Sequence, residues 1–281
     1  MKLMECFLPK IVKDIYIYRS LLYQLIRRDI STRYQGSYLG IAWSFFFPLL
    51  TLGVYAVVFG IILTPRWPNM NDPAQFTLIL FSGLLVFNFF SECISRAPSL
   101  IVSNANYVKK VVFPIEVLIW VPIGTALFHL LLGIMAWTFL GLILGNKLNL
   151  TMLVIPLAVL PLTMFTAGIC WFLAALGVFV RDVGQLIGVS VQLLLYLGPI
   201  IYPREILPER FQWLMSINPI TIPVEQFRNI LNYGVSLDLT TMAIYMIVSL
   251  LFVWLGKTFF EKTRHGFAKG SIYFNLAIAP S

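Results

Sequence analysis

Residues 27–63 read RRDISTRYQGSYLGIAWSFFFPLLTLGVYAVVFGIIL and join a basic, polar segment to a long apolar one. The apolar part begins near Gly40 and is long enough to cross a bilayer, which takes about 20 residues. No charged side chain occurs between Arg33 and Arg66. The place where charge stops therefore marks where the membrane begins, and the other apolar segments are oriented from it.

The composition of the whole chain also indicates a membrane protein. Of the 281 residues, 59% are hydrophobic and 11% are charged, whereas a soluble domain carries about 25% charged residues. The apolar residues form long blocks, which predict an all-α polytopic membrane protein, because a transmembrane barrel shows short alternating segments. The basic residues flank these blocks rather than clustering on a soluble domain, so no nucleic-acid partner is expected.

The apolar blocks predict six membrane spans joined by short polar segments. Residues 1–37 form the cytoplasmic N-terminal region, in which 11–34 are predicted as an amphipathic interfacial helix. Residues 261–281 form a cytoplasmic tail. Residues 203–235 hold four prolines among apolar side chains, which favours two short half-inserted helices, about 206–216 and 220–231. The six spans are roughly 38–63, 76–102, 115–144, 151–179, 185–202 and 239–260.

The distribution of basic residues orients the spans. In the six-span arrangement, 15 of the 20 Lys and Arg lie on the side of the two termini. The positive-inside rule therefore predicts that both termini are cytoplasmic. The basic residues left on the other side are Arg66, Lys147, Arg204, Arg210 and Arg228.

Few ionisable side chains fall inside the predicted spans. Glu92 and Arg96 are four residues apart, hence on one helix face and able to pair. A structural ion pair near the cytoplasmic end is favoured over a substrate contact. His129 lies alone in the third span, where packing or an interhelical hydrogen bond is favoured over proton relay.

No motif suggests that the chain carries out chemistry of its own. Its three cysteines, Cys6, Cys93 and Cys170, are far apart, so neither a disulfide framework nor a metal site is expected. Gly256-Lys257-Thr258 resembles the end of a phosphate-binding loop, but Leu251 stands where that loop needs its first glycine. We therefore expect a chain that is not an enzyme and binds no cofactor.

Five stretches resemble one known family, the transmembrane permeases of type 2 polysaccharide ABC exporters, which export O-antigen, capsule and teichoic acid chains. The overall pattern favours the O-antigen branch. Together the five stretches cover most of the chain. They are RDISTRYQGSYLGIAWSFFFPLL at 28–50, NANYVKKVVFPIEVL at 104–118, RDV at 181–183, GPIIYP at 198–203 and NPITIPVEQFR at 218–228.

This resemblance implies an architecture and a set of partners. Two copies of the chain would pair with two copies of a cytosolic ATPase, which binds the ATP and magnesium, in the bacterial inner membrane. The substrate would be an undecaprenyl-linked polysaccharide. Residues 104–113 and 181–187 would be coupling segments that contact the ATPase, and 203–231 would form re-entrant gate helices. The implied coupling residues are Asn104, Tyr107, Lys109, Lys110, Arg181 and Asp182.

A polysaccharide path needs groups that hold sugars loosely, and aromatic faces suit this role. Successive rings such as Phe45, Phe46 and Phe47 cannot all face one path, so only a minority of the aromatics is expected to line it. Arg27, Arg28 and Arg33 are candidates for binding the lipid pyrophosphate at the cytoplasmic entrance. The candidates for the path are Tyr34, Tyr38, Trp43, Phe46, Phe87, Phe90, Tyr196 and Tyr202.

Three other interpretations remain open on the sequence alone. Export of capsular polysaccharide or teichoic acid would use the same architecture. A membrane glycosyltransferase would require paired acidic residues in loops, and no evident pair stands out. An ion-driven flippase would require acids deep in several spans and internal repeats, whereas Glu92 stands alone.

Overall fold

The structure is a computed structural model that describes residues 7–58, 73–108, 114–145, 149–204 and 208–267. These residues are mostly helical, and no strand occurs among them. Short 3-10 segments precede α3, α7 and α8 below, and a π-helical turn, Asn229–Tyr233, follows α11. The α-helices are α1 Phe7–Ile17, α2 Arg19–Tyr34, α3 Trp43–Val57, α4 Pro73–Arg96, α5 Leu100–Ser103, α6 Ala105–Val108, α7 Trp120–Ile143, α8 Ile155–Phe179, α9 Val183–Leu197, α10 Glu209–Ile217, α11 Thr221–Arg228 and α12 Leu239–Thr263.

Four helical segments are long and apolar enough to cross a membrane, which confirms a polytopic helical membrane protein. They are Gln75–Arg96, Ile115–Ile143, Leu150–Phe179 and Leu239–Gly266, and they match the second, third, fourth and sixth predicted spans. The first and fifth predicted spans contain shorter apolar helices, Gly40–Val54 and Val183–Leu197. The rest of the first span, from residue 59, lies outside the described residues, so the count of six stays a prediction.

Several predicted helix boundaries are corrected by the structure. The second span was expected to reach residue 102, but α4 ends at Arg96 because Pro98 disfavours helical backbone in the residue before it and offers no N–H. The predicted interfacial helix 11–34 is two helices, which meet at Tyr18. The two short helices expected within 203–235 are present as α10 and α11, and their re-entry into the membrane stays a prediction.

The most tightly packed part of the molecule is the contact between α8 and α12. A Cβ atom at Gly168 would lie 2.5 Å from the carbonyl carbon of Phe252, and one at Gly256 would overlap the carbonyl oxygen of Gly168. The two backbones therefore touch, as small residues permit in membrane helices. Trp171 and Lys257 are fully buried beside this contact, and the Lys257 Nζ atom lies 3.9 Å from a carboxylate oxygen of Asp14.

The other side of the molecule positions the polar groups. Helix α2 packs on α7, while α3 packs on both α7 and α4. Gly36, with a φ of 82°, adopts the left-handed conformation that glycine accommodates without strain, and it turns the chain from α2 toward α3. Four helices thus surround a space that opens near the end of α2.

Candidate functional site

A cavity of about 630 Å³ lies between α2, α3, α4 and α7. Each helix contributes side chains at helical spacing, such as Trp43, Phe47 and Thr51 on α3. The walls combine aromatic and aliphatic side chains with hydroxyl and amide groups such as those of Thr51 and Asn88, and the charged groups of Arg33 and Glu92 lie together where α2 ends. The remaining lining residues are Arg33, Tyr34, Ser37, Ser44, Pro48, Phe81, Leu85, Asn88, Phe89, Ser91, Glu92, Ala126, His129, Leu130 and Gly133.

The polar end of the cavity is a network of four side chains, Arg33, Tyr34, Glu92 and His129, called here the cavity cluster. Arg33 Nη2 lies 2.8 Å from Glu92 Oε1, and His129 Nδ1 lies 2.9 Å from Glu92 Oε2. The other ring nitrogen of His129 lies 3.1 Å from the Tyr34 hydroxyl. Three helices therefore converge on one carboxylate, and His129 makes the interhelical hydrogen bonds favoured by the sequence.

The predicted pair between Glu92 and Arg96 is present but is not the main interaction of either residue. Arg96 Nη1 lies 3.8 Å from Glu92 Oε1, whereas Arg96 Nη2 lies 2.5 Å from Asp29 Oδ1. The Thr125 hydroxyl donates to the other oxygen of Asp29 at 2.8 Å.

The Asp29 carboxylate ties α2 to α4 and α7. Burial acts to raise the pKa of Asp29, but the hydrogen bonds from Arg96 and Thr125 outweigh it and hold this pKa below its usual value. Asp29 is therefore ionised at neutral pH, and its pairing with Arg96 fixes the helix that carries Arg33.

The structure brings together only some of the aromatics expected along the path. Tyr34 and Trp43 line the cavity. Phe46 is 45% exposed and lies outside the lining, where the next residue, Phe47, takes its place. Tyr38 and Tyr196 are exposed and are not among the lining residues, and the Tyr202 hydroxyl donates to the carbonyl of Tyr196.

The expected face of α4 is corrected. Phe87 is buried, and Phe90 is 1% exposed with its ring stacked on Phe165 at 6.2 Å between centroids. Both rings belong to the packed interior of the described residues and do not line the cavity, and their role in the path stays a prediction. The face of α4 that lines the cavity instead carries Phe81 and Phe89.

The three arginines proposed for the lipid pyrophosphate lie in different surroundings. Arg33 belongs to the cavity cluster. Arg28 Nη1 donates to the Tyr107 hydroxyl at 2.6 Å and lies over that ring. Arg27 is exposed. Of the three, Arg33 alone reaches the cavity.

The residues expected to contact an ATPase are only partly described. Asn104 separates α5 from α6, and its side chain donates to the Leu100 carbonyl at 2.9 Å. Tyr107 lies on α6 and contacts Arg28 of α2. Arg181 and Asp182 are exposed just before α9. Lys109 and Lys110 lie outside the described residues, and the coupling role of all six stays a prediction.

Two of the quoted motifs, 198–203 and 218–228, contact each other through hydrogen bonds at the other end of the molecule. Arg228 was counted among the outward basic residues, but it is buried and donates to the carbonyls of Pro199 at 2.8 Å and Ile200 at 3.3 Å. Asn218 donates to the carbonyl of Leu194 at 3.0 Å. The end of α9 is therefore held by the two short helices, a contact that no sequence spacing indicates.

Comparisons with known proteins identify the family. Residues 20–232 match the family model described as ABC-2 type transporter. The chain is 27% identical to the O-antigen export system permease protein RfbA of Myxococcus xanthus over 262 residues, which cover 92% of this chain and 98% of that protein. It is 27% identical to an RfbA protein of Klebsiella pneumoniae, and the alignment covers 89% of this chain and 94% of that protein. It is 25% identical to the polysialic acid transport protein KpsM of Escherichia coli, and the alignment covers 80% of this chain and 88% of that protein. The match to the family model spans α2 to α11 and includes the whole cavity, so this chain belongs to the ABC-2 type transporter family.

Proposed function

We propose that this chain is the channel-forming permease of an ATP-driven exporter that carries an undecaprenyl-linked polysaccharide of O-antigen type across the bacterial inner membrane. Its family supports a role as the membrane subunit of an ABC transporter, with ATP hydrolysis on a separate ATPase. The names of relatives aligned over most of the chain support O-antigen as the cargo.

The observation that carries the proposal is the cavity with aromatic walls and a charged end. Aromatic faces such as those of Trp43 and Phe47 contact the apolar C–H surfaces of sugars without fixing them in one register. Hydroxyl, amide and carboxylate groups in the same cavity offer exchangeable hydrogen bonds. Movement through a membrane requires contacts weak enough to be left again, and this combination suits such movement.

The exposed surface of α9 supports pairing of two copies. Apart from their chain neighbours and the backbone of their own helix, Gly184 and Gly188 have no described atom within 4 Å of their Cβ positions, and Gln185 and Gln192 are exposed. Polar side chains and bare glycines are a poor surface for lipid but a good one for another helix. We expect a second copy of the chain to cover this surface, with both termini of each copy in the cytoplasm.

Helix α2 supports a route from the ATPase to the cavity. The Arg28 contact with Tyr107 joins α2 to α6, within the segment expected to dock on the ATPase. The same helix ends at Arg33 and Tyr34 in the cavity cluster. Movement of α6 would therefore shift α2 and change the polar end of the cavity.

Export of another polymer is the alternative, since KpsM is named for polysialic acid transport. The deciding experiment reconstitutes the chain with its ATPase in proteoliposomes and supplies lipid-linked O-antigen, capsular polysaccharide or teichoic acid. We expect ATP-dependent transfer of O-antigen and none with an ATPase variant unable to hydrolyse ATP. Transfer driven by an ion gradient without the ATPase would contradict the proposal, and transfer of another polymer alone would replace the cargo.

A further inference from the structure

We propose that the cavity between α2, α3, α4 and α7 is a subsite selective for a neutral sugar unit, with Asn88 as a specificity-determining residue. This role rests on the proposed function and deepens it, because it restricts the cargo to one charge class. Sugars that carry a carboxylate, such as uronic and sialic acids, are excluded from this subsite.

Asn88 is an exposed amide within an apolar membrane helix. From Phe76 to Phe90, all of which the structure describes, it is the only exposed residue. Its side chain lines the cavity and makes no hydrogen bond to another described residue. Because an unpaired amide is costly in an apolar environment, this position requires a polar partner inside the span. The adjacent hydroxyl groups of a sugar can accept from the amide nitrogen and donate to the amide oxygen together.

Two hydroxyl groups near Asn88 in the lining present acceptors rather than donors to the cavity. The hydroxyls of Thr51 and Ser91 already donate to backbone carbonyls of their own helices, at 2.8 Å and 3.2 Å respectively. A hydroxyl carries a single hydrogen, so each of these oxygens has only lone pairs left for a ligand. Sugar hydroxyl groups can donate to them, whereas the carboxylate of an acidic sugar has no hydrogen to donate.

The charges of the cavity leave no cation for an acidic sugar. Arg33 is the only lysine or arginine among the described residues that line the cavity, and its Nη2 atom lies 2.8 Å from Glu92 Oε1. The carboxylate of Glu92 therefore neutralises the guanidinium. A second carboxylate in this space would bring a charge without a partner, which is costly within a membrane span.

Helix α3 supplies the apolar side of the subsite. Trp43 and Phe47 line the cavity from α3, while Asn88 lines it from α4. A sugar ring has apolar C–H faces and polar hydroxyl edges, so it can use both kinds of wall at once. The volume of about 630 Å³ falls within the range of about 300–1,000 Å³ that is usual for small-molecule sites, the size class of a mono- or disaccharide unit.

The test compares two oligosaccharides that differ only in their carboxylates, with the full chain in nanodiscs of neutral lipid. One is tetragalacturonate, and the other is the same tetramer with every carboxylate reduced to an alcohol, which is galactotetraose. Saturation-transfer NMR measures both affinities. We expect galactotetraose to bind about tenfold more tightly or better. Equal affinities, tighter binding of tetragalacturonate, or no binding of galactotetraose would overturn the proposal.

Two substitutions assign the selectivity to named residues. Asn88→Leu removes the amide at similar side-chain size and should weaken binding of galactotetraose about tenfold. Glu92→Gln removes the charge that neutralises Arg33, so it should strengthen binding of tetragalacturonate about tenfold and leave that of galactotetraose nearly unchanged. Gln24→Leu is the matched control, because Gln24 is an exposed amide of α2 outside the cavity lining, and neither affinity should change.

The variants can also contradict the proposal. An unchanged affinity of Asn88→Leu for galactotetraose would remove Asn88 from the subsite, and unchanged selectivity in Glu92→Gln would remove the role of charge. If Glu92→Gln does not fold, the comparison of the two tetramers on the original chain decides the role of charge. The measurement uses neither ATP, nor the ATPase, nor a lipid carrier, so its failure is distinct from a failure of ATP-driven export.

Discussion

Glycines of this chain lie in two opposite environments, and the contrast separates two parts of the molecule. Between α8 and α12, Gly168 and Gly256 bring two backbones into direct contact. On α3 and α9, Gly53, Gly184 and Gly188 have open space where a side chain would lie. The same residue therefore closes a packed interface in one part and leaves a bare surface in the other.

The contact face between α8 and α12 is filled by buried side chains, while another face of α12 exposes Ile244, Ile247 and Leu251. Buried side chains such as Trp171 and Phe260 fill the space around α8 and α12. On α9, Val183 is the one buried residue, and Leu186, Val189 and Leu193 are exposed. We interpret the first part as a scaffold that each chain forms alone and the second as the surface where a second copy and the substrate meet.

Of the predicted variants, Gly168→Val is expected to have the largest effect, a loss of stability of the folded chain. The new Cβ would lie 2.5 Å from the Phe252 backbone, which cannot rotate away as a side chain can. Overpacking costs about 1–3 kcal/mol where side chains can adjust, so a backbone clash should cost at least that much. We expect a large fall in the melting temperature of the detergent-solubilised chain. A melting temperature within error of the original would mean that α8 and α12 do not pack as described.

We expect Gly188→Leu to have a smaller effect than Gly168→Val, and to impair association of two copies rather than folding. The site is open, so folding and membrane insertion should proceed as in the original chain, whereas association of two copies and export should fall. Size-exclusion chromatography with light scattering measures the association, and Ile247→Phe is a control at an exposed position of α12, in the part assigned to the scaffold. Unchanged association with normal export would place the contact between copies elsewhere.

The sequence alone predicted those features of the fold that depend on a single segment, such as its hydrophobicity or the spacing of two residues. Long apolar runs located four membrane-spanning helices, and the spacing of Glu92 and Arg96 placed both on one helix face. The sequence did not predict contacts between side chains that are far apart in the chain. The contact of Arg33 with Glu92 and that of Asp29 with Arg96 depend on how α2 crosses α4 and α7, which no local pattern specifies.

The aromatic residues expected along the path coincide only in part with the cavity lining, and their role in the path stays a prediction. The rings of α4 occur on several of its faces, so their spacing alone does not identify the cavity face, which is marked instead by the polar residues Asn88, Ser91 and Glu92. The expected pair Phe87 and Phe90 is buried in the interior, while Phe81 and Phe89 line the cavity. On α3, the face is shifted by one position, from Phe46 to Phe47.

We propose that the cavity takes part in moving the polysaccharide, and a double variant tests this claim most directly. Trp43 and Phe47 are changed together to alanine, and ATP-dependent export is measured in proteoliposomes. The control changes Phe139 and Leu142 to alanine, two exposed side chains on α7 that lie outside the cavity lining. We expect export to fall about tenfold in the first variant, which corresponds to about 1.4 kcal/mol lost over the two rings, and to stay near normal in the control. A correctly folded Trp43→Ala and Phe47→Ala variant that exports full-length polymer at the original rate would contradict the claim.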